Sequence, residues 1–565
     1  MITALLLAGA LGFCACSKDG PDSTNDSGTA GDDSAGGNIA VNSSDDLIAN
    51  TTFDRTVKVV FSGGGATVTG ADGLTVKVSG AGVTVTNPGD ETVRYELSGS
   101  SSNGYFKLYS SRKQAIVLSS LTLANPAGAA INNQSGKRTF VVLEGTSVLT
   151  DGTYTDSDED EKAALFSEGQ LIFSGDGALT VNATGKSGIT SDDYVRFLDG
   201  PTVTVSSTQG HGVRGKDAVI VSGGNLDITV SGTGRKGICS DTLVYFAGGV
   251  TRITSTSAAG VVDGELTGAA GIKADLRFEM TGGELSVQCS GSGCKGITGD
   301  NVGYFKGGVV RVEVKGSNYG NSFASNSKSA KGIKFDGNLY FSGGSVYASS
   351  SAHEGIEAKG VIGVTGGTVH AYAKDDAINS AGDMTLSDGF ICGHSYGNDG
   401  IDANGNLYIK GGVVYAVGSS SPEVGIDANT EQNKKLYLTG GTVIAVGGLE
   451  SGSSLEQQTV VTTSWSKSTS YALFDGDRTL VTFRTPGSGG SSLVISHPSL
   501  TGGNSYTLTA GVNFSDGTAY FNGLYVDGAA ASGGSRTTTL TAGTSTGANG
   551  GGGPGGGGGP GGMGR

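Results

Sequence analysis

The sequence predicts an all-β protein: a right-handed parallel β-helix of about ten or more coils, three short strands per coil, with irregular β caps at both ends. Three observations predict it. A Gly-Ile pair or a near equivalent returns at Gly188, Gly212, Gly237, Gly271, Gly296, Gly332, Gly355, Ala377, Gly400 and Gly425, at intervals of 22 to 36 residues. A double glycine follows most of these, from Gly223-Gly224 to Gly440-Gly441. Apolar residues alternate on either side of each double glycine.

The stretch GNDGIDANGNLYIKGGVVYAVG, residues 397 to 418, shows one whole unit. Ile401 supplies one apolar residue, Leu407 and Ile409 two more before the glycine pair, and Val414 and Ala416 two after it. Alternation means a strand with one face inside, and the glycine pair marks a sharp corner. One coil cannot bury that face alone, so coils must stack. A propeller would need four strands and about 40 residues per repeat. A sandwich would not hold one register through so many copies.

The repeat defines the domain organisation. Residues 151–448 read as the β-helix and 41–150 as an N-terminal cap with the first coils. Residues 449–545 carry strand runs without the repeat and read as a C-terminal cap, needed because an open solenoid end exposes a sheet edge. Residues 1–16 form an apolar stretch too short to span a bilayer, which fits a secretory signal. The CSKDG that follows resembles a bacterial lipoprotein cleavage site with Cys16 as the lipidated residue; an ordinary cleaved signal is the alternative. Residues 17–40, rich in Ser, Asp and Gly, read as a flexible linker, and the Gly-rich 546–565 as a disordered tail. The expectation is a secreted monomer, displayed at the outer membrane or cell surface, that touches membrane only through its N-terminal lipid.

The chain of 565 residues carries 102 glycines and a net charge of −15. The acidity argues against nucleic-acid binding, which needs a basic footprint. Stacking turns sequence order into columns. The residue before each Gly-Ile reads Lys236, Ala270, Lys295, Lys331, Glu354, Asp376, Asp399, Val424. The residue after the Ile reads Lys273, Thr298, Lys334, Glu357, Asn379, Asp402, Asp427. One corner is thus basic over one length and acidic from Glu354 onward. Stacked carboxylates repel, and a hard cation offsets that, because Ca²⁺ takes six to eight oxygens. Glu354, Glu357, Asp375, Asp376, Asn398, Asp399, Asp402 and Asp427 are the candidate calcium ligands; solvated surface acids are the alternative.

Lys236, Lys295 and Lys331 are candidate contacts to an acidic sugar polymer, or stems that merely cover the core. A tyrosine column three places before the double glycines, including Tyr340 and Tyr408, can stack on sugar rings or serve as same-face packing.

DGTYTDSDEDEKAALFSEGQLIFSGDGALTV, HEGIEAKGVIGVTGGTVHAYAKDDAINSAGD and the 397–418 stretch resemble the bacterial cell-surface carbohydrate-binding β-helix proteins, pectate-lyase-like in fold. The resemblance runs from about residue 54 to about 510. It implies calcium, and binding of acidic sugars such as polygalacturonate, and of cellulose, without cleavage. It places calcium or ligand contacts at Asp375, Asp376, Asp399 and Asp402, and includes the acidic loop Asp156, Asp158, Asp160 and Glu161. The chain departs from it with lysine before Gly-Ile in the middle coils and with Asn379 where histidine is frequent.

No catalytic residue is assigned. A polysaccharide lyase acting on uronates is the runner-up, with Arg214, Lys236, Lys295 or Lys331 as positional candidates for its base. A structural or adhesive surface rod is the third reading. Cys289 and Cys294 flank a tight turn and could pair; buried free thiols are the expected state of Cys239 and Cys392.

Overall fold

A computed structural model describes residues 41–154, 159–320, 326–526 and 530–547. Asp156, Asp158 and Cys16, and with them the signal, linker and most of the Gly-rich tail, lie outside the described residues. The fold is the expected parallel β-helix, of about 14 turns.

In each coil the chain runs through three strands. In the coil of the 397–418 stretch these are Ile401–Ala403, Leu407–Ile409 and Val413–Val417. First strands pair in parallel with first strands of neighbouring coils, in one 15-stranded sheet. The second and third strands belong to a 29-stranded sheet. Ile401, Leu407, Ile409, Val414 and Ala416 are all fully buried, as the alternation requires.

The glycine pair makes the corner between second and third strands. Its second glycine has a positive φ in coil after coil, for example +78° at Gly308 and +74° at Gly412. A Cβ at Gly412 would also lie 2.6 Å from the carbonyl of Gly389 in the coil below. Both constraints exclude a side chain.

Two outer faces are covered by segments outside the repeat. Residues 41–53 form a strap along the outside of the second strands. Phe53 meets Phe140 edge-on at 6.3 Å, and Val41 packs near Ile220 and Tyr245. Between them Asp46, fully buried, pairs with Arg138 (2.9 Å) and Arg196 (2.8 Å) and accepts a hydrogen bond from Tyr194 (2.6 Å). A buried carboxylate persists because its partners replace water.

At the other end, Leu493–Ser496 pairs antiparallel with Thr442–Val446 and so closes a sheet edge. Six further strands, from Ser470–Asp475 to Ala530–Thr541, form a separate antiparallel sheet. This sheet packs sideways on the outer face of the last third strands, against Cys392, Tyr415 and Ile444.

Candidate functional site

The corner between the third strand of one coil and the first strand of the next carries the acidic column. Backbone bonds hold its members in register. The N–H of Gly332 donates to the carbonyl of Glu354 (3.1 Å), that of Gly355 to Asp376 (3.3 Å), that of Ala377 to Asp399 (3.1 Å) and that of Gly400 to Val424 (3.3 Å). The position after the isoleucine stacks as Lys334, Glu357, Asn379, Asp402 and Asp427. Residues spaced by about 23 in the chain therefore become vertical neighbours on one side of the molecule.

At the lower end the charges are paired. The buried Lys331 ammonium lies 3.1 Å from Glu354 and 2.5 Å from Glu357. Burial opposes its charge, but Glu357 and Glu354 outweigh burial and raise its pKa. Burial would raise the Glu357 carboxyl, yet Lys331 and Lys359 bring it down to about 2. His353 Nδ1 contacts Glu354 and lies 3.0 Å from Asp375. These carboxylates outweigh burial and lift its pKa to about 9.

Two coils higher, no lysine or arginine among the described residues forms an ion pair with Asp376, Asp399, Asp402 or Asp427. Asn379 bridges two carboxylates instead, donating to Asp376 (2.9 Å) and Asp402 (2.8 Å). Asn398 donates to Asp375 (2.9 Å), the N–H of Asp399 to Asp376 (3.2 Å), and the N–H of Val424 to Asp399 (2.5 Å). Burial, then the carboxylates of Asp402, Asp375 and Asp399, push Asp376 up to about 9. Burial likewise lifts Asp399 to about 7 and Asp402 to about 6. Asp427 rises to about 9 through burial and its hydrogen bond with Glu450. These carboxyls sit where their charged forms repel one another and lack solvent.

The corner thus brings together all eight expected metal ligands along one edge. It adds three residues that sequence reasoning left out of the ligand set. His353 was legible as the residue beside Glu354. Glu423 and Glu450 carry no repeat signal; Glu423 joins Asp399, and Glu450 joins Asp427 across a non-repeating turn. The oxygen-rich upper corner suits a hard cation such as Ca²⁺. His353, Glu354 and Asp375 converge within 4.8 Å, with Lys331 as the cation already at Glu354. A second cluster of Asp160, Glu168 and Asp192 is likewise served by Lys162, 3.0 Å from Asp160.

Lys236 and Lys295 are buried with Lys331 in the same column rather than projecting from it. Of the tyrosine column, Tyr245 lies in the cluster that the strap's Val41 joins, and Glu279 interrupts the column between Tyr245 and Tyr304. Tyr340 stacks on Tyr304 at 5.4 Å, and Tyr408 on Tyr437 at 5.0 Å. Both are half-buried, with Gly363 and Thr385 between them. Cys239, Cys289, Cys294 and Cys392 are buried free thiols.

Among solved structures, the chain is similar to one described as the polysaccharide lyase-like protein from C. thermocellum, gadolinium derivative. The identity is 22%, over 46% of this chain and 97% of that one, with a TM-score of 0.35. No curated protein matches. A family model described as carbohydrate-binding domain-containing protein matches residues 79–377, more than half of the chain, and ends within the acidic corner just after Asp376. The chain belongs to that family of carbohydrate-binding domain-containing proteins.

Proposed function

We propose that this protein binds polysaccharide without cleaving it, and that calcium held by the acidic corner mediates the contact. The ligands would be acidic sugars such as polygalacturonate, with cellulose as a neutral ligand held by the tyrosine faces. One observation carries the calcium reading. Asp376, Asp399, Asp402 and Asp427 are crowded in register with raised carboxyl pKa values, and no cation figures among the influences on them. A divalent ion would remove that repulsion and leave coordination positions for a sugar carboxylate. Asp375 and Asn398 complete the oxygen set, whereas Glu354 and Glu357, also expected as ligands, already face Lys331 and Lys359. The sugar then meets this chain's charge through the ion, which reconciles an acidic protein with an acidic polymer.

Binding is favoured over lyase chemistry by the state of the candidate bases. Arg214, Lys236, Lys295 and Lys331 are all buried, and the carboxylates beside Lys331 hold it in its charged form, whereas a general base must give up its proton near the working pH. We further propose export and lipid attachment at Cys16, with display at the cell surface as a monomer.

The deciding experiment is affinity electrophoresis in gels containing polygalacturonate, with calcium and with chelator. Retardation only with calcium is expected. Equal mobility in both, with no calcium-induced rise in melting temperature at millimolar calcium, would overturn the calcium reading. A sustained rise in absorbance at 235 nm with polygalacturonate would establish a lyase instead.

A further inference from the structure

Apart from the carboxylates, one outer surface changes character along the solenoid in a way that the repeat does not demand. It is the outward face of the third strands. In the middle coils it is charged, with Arg252, Arg311 and Glu313. In the last coils it is apolar, with Tyr415, Val417, Ile444 and Val446, and the C-terminal sheet covers it. Between these stretches the outward positions read Tyr347 and Ser349, then His370 and Tyr372, then Cys392 and His394. The aromatic run continues into the next corner with Tyr396.

These rings form two neighbouring groups, one in each outward column. Tyr347 meets His370 edge-on at 4.9 Å. Tyr372 meets His394 edge-on at 5.0 Å and lies 5.4 Å from Tyr396, tilted by 33°. Burial lowers both imidazole pKa values to about 4, so the histidines are neutral at physiological pH. Tyr372 and Tyr396 remain 39% and 41% exposed, among the most exposed large side chains of the described residues. Contiguous exposed aromatic surface beside a covered apolar face marks a binding surface more often than a packing surplus.

The position relative to the acids gives the Tyr372–Tyr396 strip its chemistry. Tyr372 precedes Asp375 and Asp376 by one short turn, and Tyr396 precedes Asn398 and Asp399 in the same way. The Tyr396 hydroxyl donates to the carbonyl of Ser351 (3.2 Å), two coils below, so the ring lies across the corner instead of away from it. Aromatic faces and oxygen ligands therefore share one rim.

We infer that Tyr372 and Tyr396, flanked by His394, form the ring-stacking platform for a uronic-acid polymer whose carboxylate reaches the cation-binding corner beside them. The inference rests on the proposed calcium-dependent sugar binding and names the surface that recognises the ring. The apolar C–H face of a pyranose packs on an aromatic face and releases water from both. The carboxylate on the same sugar is directed to the ion, and the two contacts fix orientation as well as affinity. A polymer laid along the axis would meet one ring per coil.

The test compares the full chain with Tyr372→Ala, Tyr396→Ala, the double alanine variant and the double phenylalanine variant. Each is run by affinity electrophoresis in polygalacturonate with calcium, and its melting temperature is recorded with calcium and with chelator. The double alanine variant should lose at least tenfold in affinity and keep the calcium-induced melting shift, and the double phenylalanine variant should bind within threefold of wild type. Wild-type retardation with unchanged binding by the double alanine variant would overturn this platform and leave the proposed function standing. Loss of the calcium shift in that variant would also overturn it, because the rings would then be supporting the corner. Failure of the wild type itself to bind the polymer would overturn both.

Discussion

Lys331 and Asp376 occupy the same column, two coils apart, and their charges are treated in opposite ways. Around Lys331 a buried ammonium faces two carboxylates, and Lys331 and Glu357 each keep their charge because the other is present. Around Asp376 the coil above and the coil below both present acids, and the carboxyl rises to about 9. The backbone is the same in both places: a residue before Gly-Ile or Ala-Ile, its carbonyl accepting an N–H from the preceding coil. The difference lies wholly in side chains, so a solenoid can place a closed ion pair and an open ligand set on one scaffold by changing one column position. The closed site is satisfied by its own side chains; the open one is where the proposed function places a ligand.

The largest effect should come from breaking the closed site. Lys331→Met removes the cation that Glu354 and Glu357 share and leaves Glu354 to His353 and Glu357 to Lys359; breaking a buried pair from one side costs about 3–5 kcal/mol, and these remaining partners set the loss toward the lower end. Urea or thermal unfolding measures it. A loss below about 1 kcal/mol would mean that the pair is solvated and that the two ends do not differ as described. Calcium added to chelator-treated protein should act next most strongly. An ion that binds only the folded state stabilises by about 2.7 kcal/mol at a hundred times its Kd. Calcium should also release protons into a weakly buffered solution, because it binds the ionised carboxylates.

How much of this contrast was readable beforehand follows from what repeats. The Leu407, Ile409, Val414, Ala416 register is written into every coil, so core and column assignments carry over from any one coil to the next. Lys331 was legible as a column member but not as a buried one, because its burial depends on Glu354 and Glu357 folding over it from the coil above. The strap was not legible. Asp46 meets Arg138 and Arg196 across 92 and 150 residues of chain, and nothing periodic links them. Sideways packing of the C-terminal sheet was hidden for the same reason: Tyr415 and Ile444 sit at outward positions where alternation predicts solvent. The Tyr372–Tyr396 strip was passed over because its members occupy different register positions and line up only once the corner is folded.

Changing pH separates the two ends by sign. Glu357 is depressed from 4.5 to about 2, so its stabilisation is present above pH 4.5 and is lost as pH falls toward 2. Asp376 is raised from 3.8 to about 9, so its contribution is full below pH 3.8 and is lost as pH rises through 9. Asp399 and Asp402, raised from 3.8 to about 7 and about 6, steepen the decline between pH 3.8 and those values. In chelator, unfolding stability should therefore fall steadily from about pH 5 to pH 9. Each proton displaced across the full range of its shift changes stability by about 1.4 kcal/mol per pH unit. Saturating calcium should flatten that decline, and a chelated profile that is flat over this range would break the contrast.

The last effect is also the most discriminating. With its carboxyl raised to about 9, Asp376 already carries a proton at neutral pH in the metal-free protein. Asp376→Asn then replaces one neutral group by another of nearly the same shape. In chelator at pH 7 it should raise stability, by up to about 1.4 kcal/mol for each pH unit between 3.8 and 7, because the unfolded aspartate is ionised there and asparagine is not. In calcium the same variant lacks an anionic ligand that the ion would have recovered, and the calcium-induced melting shift should shrink. A buried carboxylate kept for folding alone would show its full cost in chelator and no further cost in calcium. Stabilisation in chelator together with a reduced calcium shift is the pattern that only a repelling, ligand-ready corner produces.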